Sequence, residues 1–294
     1  MKIFDCTTFY SEDLMLDVRF NVLNEYVHKF IVVESNYSHS GRKKKLNFDI
    51  NNYSKFKDKI IYLVIENEPE DIIKSDNITS EIKRMNSLKR IDQSYNYMIQ
   101  GIGEASEDDL ICLSDNDEIP NFNSSYFKNS NKDIFIFEQL FFYYKFNLLY
   151  DLIPWYGTKA CKKKKLKSFS WLRHLKNKNY PFWRLDTYFS EYKQRNLKIV
   201  KSGGWHFTNI KSPADIYEKL SNFGHHNEFD VSGLTINDIE RDIEKRIVNY
   251  NHLADQKTID KYNADYKLKV IDDNLLPEYL VLNKKNLKQW FDFS

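Results

Sequence analysis

Residues 112–120 read CLSDNDEIP and place three carboxylates, Asp115, Asp117 and Glu118, within four positions behind a short apolar run. Like charges at that spacing repel, and one carboxyl of such a pair is driven up in pKa unless a positive charge compensates. In an extended segment Asp115 and Asp117, two apart, point to one side and Asn116 to the other. Two carboxylates aimed at one point suit a hard divalent cation, Mg²⁺ or Mn²⁺, which keeps coordination sites open for water and substrate phosphates. The competing reading makes these acids the N-terminal charges of a helix after Pro120. Position favours a site, because DLICLSD (109–115) predicts a buried strand and open α/β sheets bind ligands at the carboxyl ends of their strands.

The elements that must carry this cluster follow from periodicity. IFDCTTF (3–9), KFIVVES (29–35) and KIIYLVI (59–65) predict strands. Residues 11–27 between the first two predict a helix, with Leu14, Val18, Val22, Leu23 and Tyr26 on one face and Ser11 as N-cap. Strand, helix, strand with short links is the signature of a parallel sheet. A second helix is expected over 79–102, capped by Thr79 or Ser80, then a short helix near 121–131 and a long strand at 133–147. Residues 150–195 read as irregular, with a lysine run and scattered aromatics. A strand at 197–207 leads into a glycine turn, and helices are expected at 212–229 and 235–253. The expectation is one α/β core over 1–211 and a helical C-terminal part over 212–294 packed on it.

The chain has 294 residues with 44 basic and 42 acidic side chains, a net charge of +2, which disfavours a general nucleic-acid binder. Cys6, Cys112 and Cys161 are far apart and odd in number, so reduced buried thiols are expected rather than a disulfide framework. The N-terminus enters a strand pattern at once, unlike a signal peptide. Glu138, Lys145 and Asp151 interrupt the most apolar stretch, so no transmembrane span is expected. A soluble protein of a reducing, cytoplasmic compartment is the expectation.

LSDNDEIP resembles the DxDEIP segment of glycosyltransferase family 17, whose best-known activity adds the bisecting N-acetylglucosamine of N-glycans. Residues 9–48, with Leu16-Asp17-Val18-Arg19, then Val33-Glu34-Ser35, then Ser40-Gly41 and basic residues, are similar to the family's opening block. SGGWHFTNIKSPADIYEKL is similar to its Gly-Trp-His segment and LPEYLVLNKKNLKQWF to its closing block, while 121–196 match weakly. The resemblance implies a GT-A-like, Rossmann-type, mostly parallel sheet, a UDP-sugar donor, Mn²⁺ or Mg²⁺, and inversion at the anomeric carbon. It implies metal ligation by Asp117 and His206, with Asp115 joining them or binding the ribose. Glu34 and Ser35 are expected at the uridine, Lys44 at the diphosphate, and Arg84 and Asn86 near the donor. The familiar animal enzyme is membrane-anchored, so its acceptor is not carried over, and a bacterial or viral glycan-building role is the expectation.

Each residue has a plainer reading. A lone His is more often a structural hydrogen-bonding residue, and Arg42 to Lys45 read equally as a solvated basic run. Gly203 and Gly204 would let the backbone approach a ligand. An acceptor hydroxyl needs a base: Glu118 and Glu138 are the candidates, with Asp186 third. His225, His226 and Glu228 suggest a second metal site only weakly, since adjacent helical residues point apart. Lys162 to Lys165 read as a solvated loop or as a contact for an anionic acceptor or membrane surface. Trp155, Trp171 and Trp183 read as core or as stacking platforms for an acceptor sugar. Two other function classes compete: metal-dependent phosphoryl transfer or hydrolysis with Asp115 as nucleophile, and non-catalytic carbohydrate binding.

Overall fold

The computed structural model describes residues 1–75, 77–222, 226–254, 258 and 260–293, without the side chains of 226 and 227. The opening is the expected parallel unit. β1 (Ile3–Phe9) and β2 (Lys29–Ser35) flank α1 (Asp13–Leu23), and β3 (Ile60–Ile65) extends the sheet beyond β2. β1 and β2 are buried at nearly every position because helices and loops cover both faces. α2 (Ser80–Asn96) then crosses to β4 (Leu110–Ser114), which pairs parallel to β1 on the other side. Thr79 caps α2 by accepting from the Ile82 N–H at 3.3 Å, as expected. Ser11 does not cap α1; Glu12 occupies that position, its side chain accepting from Tyr10 and Ser11 N–H groups before the helix begins.

The second half of the sheet departs from a parallel pattern. β5 (Glu118–Pro120) and the short α3 (Ser125–Lys128) lead to the long β6 (Ile134–Tyr143). β7 (Leu148–Leu149) pairs antiparallel with β6. β8 (Trp155–Lys162) inserts between β4 and β6, antiparallel to both. The fold is therefore α/β with a mixed sheet, and the mostly parallel expectation is corrected. The irregular reading of 150–195 is corrected with it, since that stretch holds β8 and α4 (Phe169–His174). Lys159 hid β8: this buried lysine would end an apolar pattern, yet its ammonium donates to the carbonyl oxygens of Arg173 and Leu175, the latter at 2.7 Å.

β9 (Leu197–Val200) and β10 (Gly204–Thr208) run in tandem along one edge of β6, both parallel to it. Between them Ser202 (φ 49°) and Gly204 (φ 128°) take positive φ, which swings β10 so that it also pairs antiparallel with β5. Both glycines pack closely against protein backbone. A Cβ at Gly204 would lie 2.1 Å from the Ile119 carbonyl oxygen, and one at Gly203 2.5 Å from that of Val200.

The C-terminal part carries α5 (Pro213–Asn222), α6 (His226–Ser232), α7 (Ile236–Lys245), shorter than the helix expected over 235–253, and, after short strands β11 (Ile247–Val248), β12 (Tyr266–Lys267) and β13 (Lys269–Val270), α8 (Glu278–Leu282). It is tied to the core at several points. β13 pairs with β7, the Tyr279 hydroxyl donates to Asp17 of α1 at 2.9 Å, and the Asn147 amide donates to the Asp292 carbonyl oxygen at 2.7 Å. All three cysteines are buried and free. No described helix is long and apolar enough to cross a membrane.

Candidate active site

β4 ends at Ser114, and the chain then turns rather than running on extended. The Glu118 N–H donates to the Asp115 carbonyl oxygen at 3.2 Å, closing a turn through Asn116 and Asp117. The turn sends the two aspartates to different partners. Asp115 Oδ1 accepts from the Tyr95 hydroxyl and from Arg173 Nη1, the latter at 2.5 Å. Asp117 Oδ2 accepts from Lys219 Nζ at 3.1 Å, and its Oδ1 lies 3.3 Å from His206 Nε2. The two carboxylates are thus held apart by two cations, and no group of three or more His, Cys, Asp or Glu side chains forms a metal cluster among the described residues.

His206 reaches Asp117 because β10 pairs with β5, with His206 opposite Glu118 and the Phe207 N–H donating to the Asp117 carbonyl oxygen at 2.7 Å. Its imidazole is sandwiched between Trp155 (ring centroids 4.2 Å apart) and Phe141 (4.6 Å). The ring is therefore fixed in orientation, and its buried Nδ1 has no protein hydrogen-bond partner. Beneath the turn lies a second buried layer. Arg19, fully buried, donates two bonds to Asp5 and a third to the Glu118 carbonyl oxygen. The Glu118 carboxylate accepts from Trp155 Nε1 at 2.9 Å and from the Asp115 N–H at 3.1 Å.

Burial and charge set the protonation states. Burial alone would raise both aspartates. Arg173 and Tyr95 instead hold Asp115 below the usual carboxylate range, and Lys219 and His206 hold Asp117 far below it. Burial, with Asp115 close by, pushes Glu118 up to about 7. Lys219 stays charged: burial opposes its charge, but Asp117 and Glu12 raise its pKa.

A cavity of about 390 Å³ opens over this cluster. Its lining combines polar and charged side chains, among them Thr8, Ser35, Lys44, Asp115, Asp117 and Arg173, with aromatic ones, Tyr143, Tyr144, Trp155, Tyr250 and Tyr262. Asn116, expected to point away, lines it as well. The cavity does not include every expected residue. Glu34 is buried behind it, accepting from Asn47 N–H (2.8 Å), Phe48 N–H (3.1 Å), the Tyr62 hydroxyl (2.8 Å) and Lys44. It anchors the 36–48 loop and holds Lys44 at the cavity wall. Asn86 lies away from the wall and is spent on Ile73, donating to its carbonyl oxygen and accepting from its N–H, each at 2.9 Å. Arg84 also lies away, 3.9 Å from Glu228. Glu118 sits behind the wall, and Glu138 pairs with Lys201 on another side.

Asp186 is bound to Arg184 (2.7 Å) and Lys193 (2.5 Å), away from the cavity. Trp171 is core, and Trp183 is exposed. Of the suggested second metal group, His225 and the His226 side chain lie outside the described residues, and Glu228 faces Lys261 at 3.6 Å. Sequence reasoning missed Arg19, Tyr95, Arg173 and Lys219. Arg19 stood in the Leu-Asp-x-Arg block and Lys219 near the end of the Gly-Trp-His segment, usable signals; Tyr95 and Arg173 lie outside any quoted motif.

An acidic turn at the carboxyl end of a central β4, faced by a histidine and lined by fixed cations, is the candidate site of this α/β protein. The profile of glycosyltransferase family 17 matches residues 1–257, and the chain belongs to that family. It is accordingly a glycosyltransferase by family. No curated protein matches it. Among solved structures it is similar to 2-C-methyl-D-erythritol 4-phosphate cytidylyltransferase (IspD) of Francisella tularensis, at 11% identity over 68% of this chain and 90% of that one, with a TM-score of 0.33. HddC from Yersinia pseudotuberculosis is 14% identical over 74% and 97%, with a TM-score of 0.35. The inositol-1-phosphate CTP transferase from T. maritima is 12% identical over 68% and 85%, with a TM-score of 0.32.

Proposed function

We propose that this chain transfers a sugar, N-acetylglucosamine by preference, from a UDP-sugar to a glycan hydroxyl with inversion, in a GT-A manner and with a divalent cation. The observation that carries the reading is the pairing of Asp117 with His206 at the cavity wall, in a chain of this family. Asp117 Oδ1 and His206 Nε2, 3.3 Å apart, are a carboxylate oxygen and an imidazole nitrogen that would hold one small divalent cation. Phosphate oxygens and water would supply the remainder, so a two-residue donor set fits Mn²⁺ or Mg²⁺. Bound there, the cation would supply Lewis acidity toward the departing diphosphate.

The other roles belong to the chain. Lys219 and Lys44 line the cavity with positive charge and stabilise the growing charge of the leaving diphosphate. Arg173 and Tyr95 fix Asp115 through one oxygen, which leaves its carboxylate oriented to accept from a ribose hydroxyl. Ser35 lines the uridine end. Trp155 and Phe141 fix the His206 ring and exclude water around it. Asp242 replaces Glu118 and Glu138 as the proposed base. It lines the same cavity, accepts from Asn249 Nδ2 at 2.5 Å, and burial raises its pKa, the direction that favours taking a proton.

The test is a panel of nucleotide sugars incubated with the protein, with Mn²⁺ or with chelator. UDP release is expected only with metal and fastest from UDP-N-acetylglucosamine, and Asp117→Asn should slow it by at least about a hundredfold. Release unaffected by that substitution, or none from any nucleotide sugar with Mn²⁺ and glycan acceptors present, removes the reading.

A further inference from the structure

The charge of this chain is unevenly distributed. Residues 159–201 hold fourteen of the 44 basic side chains and two of the 42 acidic ones, a net of +12 against −10 for the rest of the chain. The two acids, Asp186 and Glu191, are both engaged by neighbouring cations: Arg184 and Lys193 on the first, Lys167 on the second at 3.4 Å. In the middle of this basic stretch, Phe182, Trp183, Leu185, Tyr188 and Phe189 are 66–91% exposed. Cations interleave with the rings, the Arg195 guanidinium lying 4.0 Å from the Tyr188 ring centroid and that of Arg184 5.7 Å from Tyr180. The loop leaves directly from α4, whose Arg173 holds Asp115, so the patch is anchored beside the cavity.

We propose that residues 176–195, with the exposed lysines around them, dock this protein on the surface of an anionic lipid bilayer. Five large apolar side chains standing in water within eight residues are costly to a protein with no partner for them. Trp, Tyr and Phe beside Lys and Arg are the composition of segments that lie in the headgroup region. Each basic residue near an anionic leaflet adds attraction that salt screens. A second copy is disfavoured as occupant, because a two-fold contact would set one basic patch against another. The inference does not depend on the identity of the donor sugar.

Sedimentation of the full chain with vesicles tests it. The vesicles are phosphatidylcholine alone or phosphatidylcholine with about 30 mol% phosphatidylglycerol, at about 0.1 M salt. Binding is expected to the anionic vesicles only, and to be lost at about 1 M salt. The combined variant Phe182→Ser, Trp183→Ser, Phe189→Ser should weaken it at least about tenfold, with circular dichroism unchanged. Lys165→Glu, Lys176→Glu, Lys178→Glu should do the same by the charge arm. Absent binding, equal binding to both vesicles, or unchanged binding by the serine variant overturns the proposal. So does loss, in the serine variant, of concentration-dependent dimerisation or of single-stranded oligonucleotide binding in a protein that ignores vesicles.

Discussion

Arg19→Met removes the centre of the buried layer beneath the acidic turn. The arginine joins three elements: it stands on α1, donates to both oxygens of Asp5 on β1 at 2.5 and 2.6 Å, and donates to the Glu118 carbonyl at the start of β5. Arg19 and Asp5 have side chains that are 0% exposed, so water cannot replace either partner. Methionine fills much of the volume but leaves a carboxylate buried without its cation. Breaking one side of such a pair costs about 3–5 kcal/mol, and the orphaned carbonyl adds about 1–3 kcal/mol. A domain with about 5–15 kcal/mol in total then becomes marginal or unfolds. Urea titration followed by fluorescence measures this, and the midpoint should fall by at least about 1 M. Removing the carboxylate as well separates the causes. Asp5→Leu with Arg19→Met should recover most of the loss, since an apolar pair replaces a buried ion pair at little cost, leaving about 1–3 kcal/mol for the carbonyl. A single variant within about 1 kcal/mol of the parent, or a double variant no better than the single, refutes the reasoning.

Other outcomes follow from the same geometry. Gly204→Ala meets both a φ of 128° and an oxygen 2.1 Å from its new Cβ, so thermal unfolding should show a loss of about 2–4 kcal/mol. Trp155→Phe keeps a ring on His206 but removes the donor to Glu118, and denaturant titration should show a loss of about 1–3 kcal/mol. Burial lowers the His252 pKa to about 4, so between pH 6.5 and 4 the unfolded chain binds a proton that the folded one refuses. The stability this gives is complete above the unfolded pKa of about 6.5 and is lost as pH falls toward 4, on the order of 3 kcal/mol. The unfolding free energy of His252→Gln, measured by urea at each pH, should fall less steeply over that range.

The parallel half of the fold was legible because its strands are buried on both faces and centre on short apolar or β-branched runs such as Phe30–Val33 and Leu110–Leu113, and because Thr79 marked the start of α2. β8 was not legible. It carries Gly157 and Lys159, and what makes them acceptable lies far off in sequence: Gln139 and Glu118 crowd the glycine, and the carbonyls of Arg173 and Leu175 receive the lysine. Without β8 the sheet looked parallel. The acidic turn was found from residue type, and its pairing with His206 was implied by the family resemblance. The divergence of Asp115 from Asp117 was not readable, because it depends on one backbone bond from Glu118 to Asp115 and on cations 58 and 102 residues away. Glu34 and Asn86 stood where donor contacts were expected, yet local backbone groups consume their hydrogen-bonding capacity.

Calorimetric titration of UDP, with and without Mn²⁺, into the parent protein and Asp117→Asn reaches the central claim most directly. The account predicts UDP binding that requires the metal and is lost when Asp117 loses its charge. Equal binding in the presence of chelator, or binding by Asp117→Asn at the parent's affinity, would contradict it.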